Sequence, residues 1–333
     1  MAILSSLLGL SSSAAIFTLI LIAYYGIPPA RLYLARRKTI KELGCQPPPS
    51  VPSNDPGLGR DVAEQLATAY KEHRRSESFQ EQHKALGLTF QSVALGKTRI
   101  YTIDPANLRA IFSKVDHWGV SPLRLPPWEP MLGRGIFTTD GTYWRHSRDL
   151  VQPLFKKDQI SNLGSFDVHV SNLIKLIPTD GSTVDLQPLI ARLILDFTTE
   201  FLFSESVRCL TPTPDKRAME FLDSFHYGQA SMGKRLQLPV KSAMTSDEKF
   251  WKAAKIVQDF VGSQVDQAFI RCDSKSGNSE KKRKQKYILA DELVKVSKDK
   301  DAIRTQLLNA FLGAHDTTAV LMTSRCPSGH DRI

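Results

Sequence analysis

Apolar positions along this chain recur mostly at helical spacing, and a single short region alternates as strands do. Val62–Arg75 is helical in pattern. Leu88–Leu95 and Thr98–Ile103 alternate apolar and polar residues around Gly96-Lys97, which predicts a hairpin. Asp104-Pro105 then caps a short helix over Ala106–Phe112, with proline at the first helical position. Beyond Trp118 the prolines Pro122, Pro126, Pro127 and Pro130 predict a loop, followed by a turn over Gly133–Gly141. From Thr142 the pattern is helical almost throughout, with breaks at Pro178–Gly181, Thr211–Pro214 and Pro239. Ser274–Lys286 is polar and basic without apolar periodicity, which predicts an exposed loop. A helix pattern resumes at Ala290, and Leu307, Leu308, Phe311 and Leu312 place at least one of its faces in a core. The predicted class is mainly α with a small β-sheet, without internal repeats.

The first residues change that picture. Residues 1–30 carry no charged side chain, and Ala14 to Tyr25 is almost wholly apolar. A bilayer needs about 20 such residues, so one N-terminal transmembrane helix is expected. Arg31, Arg36, Arg37, Lys38 and Lys41 follow it, which puts the rest of the chain on the cytosolic side of an endoplasmic reticulum membrane as a single-pass protein. A cleaved signal peptide is the alternative, but it calls for a basic start and a small-residue cleavage site. Pro47 to Pro52 and Asp55-Pro56-Gly57 cannot be helical, so residues 31–60 read as a basic, proline-rich hinge.

Composition narrows the chemistry. The net charge of +10 suits an anionic membrane lipid surface, an acidic partner or nucleic acid. The basic run Lys281-Lys282-Arg283-Lys284 has no interleaved aromatics, which argues against nucleic acid and leaves a solvated loop or a lipid contact. Cys45, Cys209, Cys272 and Cys326 lie far apart and form no zinc pattern. Gly96-Lys97-Thr98 lacks the earlier glycine of a phosphate loop, because Gln91 stands there, and Gly57-Leu58-Gly59 lacks a third glycine. No two histidines stand at helix-face metal spacing, so each is expected to have a separate role. Glu72 and Arg75 read as an exposed ion pair.

Two segments carry candidate chemistry. In Gly135–Arg148 a turn feeds a helix, and Trp144 and Arg148 stand four apart on one face. An indole N–H and a guanidinium together suit a carboxylate; a packed Trp beside a surface Arg is the plainer alternative. In Asn309–Ala319, Gly313 and Ala314 let a flat group approach the backbone. Threonine hydroxyls there can take a carbonyl from the helix ladder, and Asp316 with Thr317 makes an acid–alcohol pair suited to passing protons.

Together these segments resemble the cytochromes P-450, the haem-thiolate monooxygenases. Trp144-x-x-x-Arg148 resembles the helix that holds a haem propionate. Gly313-Ala314-His315-Asp316-Thr317 resembles the oxygen-binding stretch of the central helix, and the resemblance implies catalytic roles for Asp316 and Thr317 and cofactor contacts for Trp144, Arg148, Gly313 and Ala314. Ile103–Leu108, Leu195–Phe203 and Gln306–Asn309 are similar to the fungal branch that hydroxylates alkanes and fatty acids. The implied cofactor is haem, the implied partner an NADPH-cytochrome reductase, and the implied substrate small and apolar. Trp128, Phe225 and Leu236 are expected near the access path.

The resemblance ends near Ser324, so residues 61–324 are expected to form a partial haem-monooxygenase domain and residues 325–333 an aberrant tail. No ExxR motif follows, and the residues around Cys326 do not match the haem-ligand pattern: Ala319, Met322, Ser324 and Ser328 stand where it needs Phe, Gly, Arg and Gly. No metal ligand is therefore assigned. The expectation is a chain inactive as written, or a dead membrane-anchored fragment acting through binding. Each apolar side chain left uncovered on the central helix would forfeit about 1.5–3 kcal/mol, against a net stability of about 5–15 kcal/mol; poor folding is the expected consequence.

Overall fold

The computed structural model describes residues 17, 24, 27–156, 164–237, 247–275 and 287–325. Most of the expected anchor, the break at Pro239, the basic run 281–284, Cys326 and the tail lie outside the described residues. Among the described residues no helix is long and apolar enough to cross a membrane. The chain divides into two compact units, residues 1–113 and 114–333.

In the first unit, α1 (Ile27–Glu42) covers the first half of the expected hinge as an exposed helix without buried residues. The prolines after it carry no helix. Helix α2 (Arg60–Lys71) stops four residues short of the predicted end, because His73 takes a positive φ of 58° and starts a new helix, α3 (Arg75–Leu86). That break also corrects the expected Glu72–Arg75 pair: Arg74 pairs with Glu77 instead, at 2.9 Å. Strands β1 (Thr89–Ala94) and β2 (Lys97–Thr102) form an antiparallel hairpin in which Ala94 faces Lys97. The turn is therefore Leu95-Gly96, one residue earlier than predicted. Gly59 is required where α2 begins: its φ is 62°, and a Cβ would sit 1.9 Å from the Val93 carbonyl oxygen. Helix α4 (Pro105–Ser113) is capped by Asp104, whose Oδ1 accepts from the Ala106 and Asn107 amides.

The second unit is helical. Its elements are α5 (Ser121–Leu132), α6 (Gly141–Val151), α7 (Gly164–Lys175), α8 (Leu186–Phe203), α9 (Lys216–Gln237), α10 (Glu248–Lys275), α11 (Leu289–Val296) and α12 (Lys300–Arg325). Helix α5 corrects the loop predicted from its prolines. Pro122 occupies the first turn, where no N–H is needed, and Asp140 caps the helix by accepting from the Val120 and Ser121 amides at 2.8 Å. Burial of Met131 and Leu132 compensates for the ladder bonds lost at Pro126, Pro127 and Pro130. Gln258 Nε2 adds a bond to the Pro130 carbonyl at 2.7 Å. Helix α10 runs to Lys275, so Ser274 and Lys275 belong to it and not to the predicted loop.

Helix α12 packs against α8, α10, α11, α5 and α6. Its Leu307, Leu308 and Phe311 are fully buried, as their spacing predicted. Phe311 meets Phe221 and Phe225 edge-on, at ring-centroid distances of 5.2 and 4.8 Å, and Phe221 stacks on Phe260 at 4.1 Å. Aromatic pairs of this geometry contribute about 0.5–1.5 kcal/mol beyond their buried area. Next to this core, Asp196 of α8 accepts from the Cys209 and Leu210 amides at 2.6 and 3.0 Å, while Arg192 donates to the Cys209 and Thr211 carbonyls. This clamp folds the segment after α8 back onto its own helix. A mainly helical chain with one small sheet is the observed class.

Candidate functional site

The site is built on α12 and the turn that precedes α6. Asn309 holds the two together: its Oδ1 accepts from the Phe137 amide at 3.1 Å, and its Nδ2 donates to the Leu132 and Thr305 carbonyls at 3.0 and 2.9 Å. Gly135 must lack a side chain there, because a Cβ would lie 2.4 Å from Asn309 Nδ2. Thr138 and Thr139 fold the turn on itself through bonds to the Gly133 and Gly135 carbonyls at 2.8 and 2.7 Å. Gln306 of α12 donates to Ser147 of α6 at 3.1 Å, inside the core, so α6 is seated on α12.

Trp144 and Arg148 share one face of α6, as predicted. Trp144 is half-buried, Arg148 is exposed, and the guanidinium carbon lies 5.5 Å from the indole centroid. Among the described residues Arg148 has no carboxylate partner. That arrangement fits both expectations for the pair, a carboxylate contact and a packed Trp beside a surface Arg.

Helix α12 continues straight through Asp316 and Thr317, so neither residue caps a helix start. Thr317 Oγ1 donates to the Gly313 carbonyl at 2.8 Å, the diversion of a ladder acceptor expected from the sequence. Gly313, Thr317, Thr318, Val320 and Leu321 are exposed and Ala314 is half-buried, so one face of α12 is open and nearly flat near Gly313. Phe137 stands beside it, 3.4 Å from where a Gly313 Cβ would lie.

Asp316 is turned differently from Thr317. Its Oδ1 lies 3.0 Å from His315 Nδ1 and 3.6 Å from His226 Nε2, on α9. Burial raises the pKa of its carboxyl, but the contacts with His226 and His315 outweigh that and hold it well below the usual carboxylate range. The acid and the alcohol are thus not brought into contact with each other. His315 is fully buried, stacked on Phe311 at 5.2 Å. The expectation of separate histidines is corrected: His226 and His315 come together although they lie far apart in sequence, because α9 crosses α12. Spacing along one helix carries no signal for such a pair. Of the predicted access residues, Trp128 sits on α5 against the core, Phe225 is buried under Phe311, and Leu236 is half-buried on α9.

The donor set fits haem in kind: an open helix face at Gly313, a hydroxyl at Thr317 and, on α6, an Arg148 guanidinium without a carboxylate partner among the described residues. They do not supply an axial thiolate. Cys209 is buried and its thiol is pushed up to about 12 by desolvation and the nearby Asp196 carboxylate, so it stays protonated. Cys272 Sγ lies 3.7 Å from the Asp291 carbonyl oxygen.

Comparison with known proteins identifies the family. The cytochrome P-450 family profile matches residues 63–324. Cytochrome P-450 monooxygenase himC of Aspergillus japonicus is 33% identical over 285 residues, covering 84% of this chain and 51% of the relative. Cytochrome P-450 monooxygenase fsdH of Fusarium heterosporum is 31% identical over 318 residues, covering 92% and 55%. Cytochrome P-450 52A13 of Debaryomyces hansenii is 34% identical over 245 residues, covering 71% and 47%. The chain spans about half the length of the curated relatives it matches. With a profile match over most of its length and relatives above 30% identity, the chain belongs to the cytochrome P-450 family, whose cofactor is haem.

Proposed function

We propose that this chain is part of a haem-dependent monooxygenase that hydroxylates an apolar substrate of the fatty-acid, alkane or secondary-metabolite kind. The observation that carries the reading is the open face of α12, where Gly313 leaves room beside a hydroxyl fixed on the Gly313 carbonyl. Haem held by a thiolate activates dioxygen with two electrons and two protons, leaving one oxygen atom in the substrate and one in water. Gly313 and Ala314 would form the wall against which the flat group packs, and Trp144 and Arg148 would hold a propionate through the indole N–H and the guanidinium. Thr317 presents its hydroxyl oxygen toward that face while its proton is bound to the Gly313 carbonyl. Asp316, held ionised between His226 and His315, would accept hydrogen bonds from solvent on the α9 side and so orient a proton path toward the Thr317 hydroxyl. Phe137 and the apolar surface of α12 exclude bulk water.

The electrons come from an NADPH-cytochrome reductase. The uncharged segment 1–30 anchors the protein in the endoplasmic reticulum membrane, and the basic residues behind it keep the catalytic part cytosolic. A second reading, a haem-free anchored fragment without activity, draws on the cysteines: none of the described thiols offers an axial ligand. Expression of the complete reading frame and a reduced carbon-monoxide difference spectrum separates the two. A thiolate-type band with one haem per chain supports the monooxygenase; loss of haem on purification supports the fragment.

A further inference from the structure

Three ligating atoms converge where α9 crosses α12. One ligand atom from each of His226, His315 and Asp316 lies within 4.8 Å of the others, with 3.0 Å between His315 Nδ1 and Asp316 Oδ1 and 3.6 Å between His226 Nε2 and Asp316 Oδ1. Nitrogen and oxygen ligands bind zinc at about 2.0–2.2 Å, so two ligand atoms of one tetrahedral site stand about 3.3–3.6 Å apart. The two closest separations bracket that span.

The buried ring of His315 is held so that its Nδ1 faces this cluster. Its Nε2 lies 3.2 Å from the Ala191 carbonyl oxygen, which can only accept, so Nε2 carries the proton. His315 Nδ1 lies 3.0 Å from Asp316 Oδ1, and either a second ring proton or a metal ion can stand between the two atoms. The Ala191 bond is also the arrangement that fixes a metal-ligating imidazole: the far nitrogen donates to a backbone carbonyl and the near one is left free. Phe311 stacked on the ring and Phe225 against its edge hold it in that orientation. The His226 ring tilts toward it at a centroid distance of 5.4 Å.

We propose that His226, His315 and Asp316 form a site for a borderline divalent transition metal, with zinc as the best match. Two imidazoles and one carboxylate suit zinc, copper or nickel and are poor ligands for magnesium or calcium, which prefer oxygen alone. Three protein ligands leave one position for water. His226 is 42% exposed, which gives the ion a path from solvent. A bound ion would tie up Asp316 and take it out of any proton transfer, so the site would act as a brake on the monooxygenase. Binding itself does not rest on the haem reading, since no haem contact enters the argument.

The test is metal binding to the full chain stripped of metals and haem, with zinc chloride followed by calorimetry and cobalt chloride by visible absorption. The expected result is one tight zinc per chain and a cobalt spectrum of tetrahedral intensity. His226→Ala, a change at an exposed residue that leaves the core intact, weakens zinc by at least about tenfold and abolishes the cobalt band. His146→Ala, on exposed α6, leaves both unchanged. Absence of binding in the wild-type chain, or binding that His226→Ala leaves intact while circular dichroism shows the fold unaltered, overturns the proposal. Zinc that binds with the expected residue dependence in a chain that takes up no haem would sustain the metal site and sink the monooxygenase reading alone.

Discussion

The two faces of α12 are built on opposite rules. Toward α8, α9 and α10 the helix presents Leu307, Leu308, Phe311 and His315, each almost completely removed from solvent. On the other side it presents Gly313, Thr317, Val320 and Leu321, with Val320 64% and Leu321 58% exposed. One face is packed to a density that tolerates little change. The other keeps apolar and small side chains in the open, where a helix facing only water would carry charge. The difference separates a side of α12 that anchors the core from a side left open in this structure, the side on which the proposed function places haem.

Substitutions divide the same way. Phe311→Ala removes the ring that Phe221, Phe225 and His315 pack against, and should cost about 3–5 kcal/mol in urea unfolding. Leu321→Ala on the open face should change stability by less than about 0.5 kcal/mol in the same assay. Equal losses at both positions would erase the contrast between the faces.

Asn309→Ala should cost about 2–3 kcal/mol, since the Phe137 amide and the Leu132 carbonyl lose a partner in a buried place. Proteolysis in the Gly133–Gly141 turn should quicken with it. Gly313→Ala is expected to reverse the usual association of stability with function. A methyl in ordinary contact with Phe137 should raise helix stability by about 0.5–1 kcal/mol while lowering haem uptake, because the flat approach is narrowed.

The smallest effect concerns thiols. Cys209 is buried and its thiol titrates near 12, whereas Cys45 is exposed. At pH 8 iodoacetamide should label Cys45 and spare Cys209 in the folded chain, and mass spectrometry of the digested protein reads the difference. Cys209 should become reactive only when the chain is unfolded, or as pH approaches the value at which its thiolate forms.

Much of the packed face was legible in the sequence. The spacing of Leu307, Leu308 and Phe311, the Asp104-Pro105 start of α4 and the alternation of the hairpin each state a local period that the fold keeps. Helix α3 was not legible because Phe79, Ala85 and Leu86 are too few to mark a face, and no side chain caps its start. Helix α5 was misread for the opposite reason: three internal prolines argue against a helix, and burial of Met131 and Leu132 overrides them. On the site side, the Trp144–Arg148 spacing and the Thr317 bond to Gly313 were local and therefore predictable. The His226–His315–Asp316 cluster was not, because it depends on where α9 crosses α12, and periodicity within either helix says nothing about that.

The central claim is that the open face of α12 receives haem, and the most direct measurement is a haem titration followed by Soret absorbance on the protein expressed from the complete reading frame, comparing wild type with Gly313→Leu. The account predicts saturation at one haem per wild-type chain and loss of that uptake in the variant, with the helical circular dichroism unchanged. Equal uptake by both proteins, or none by the wild type, would contradict it.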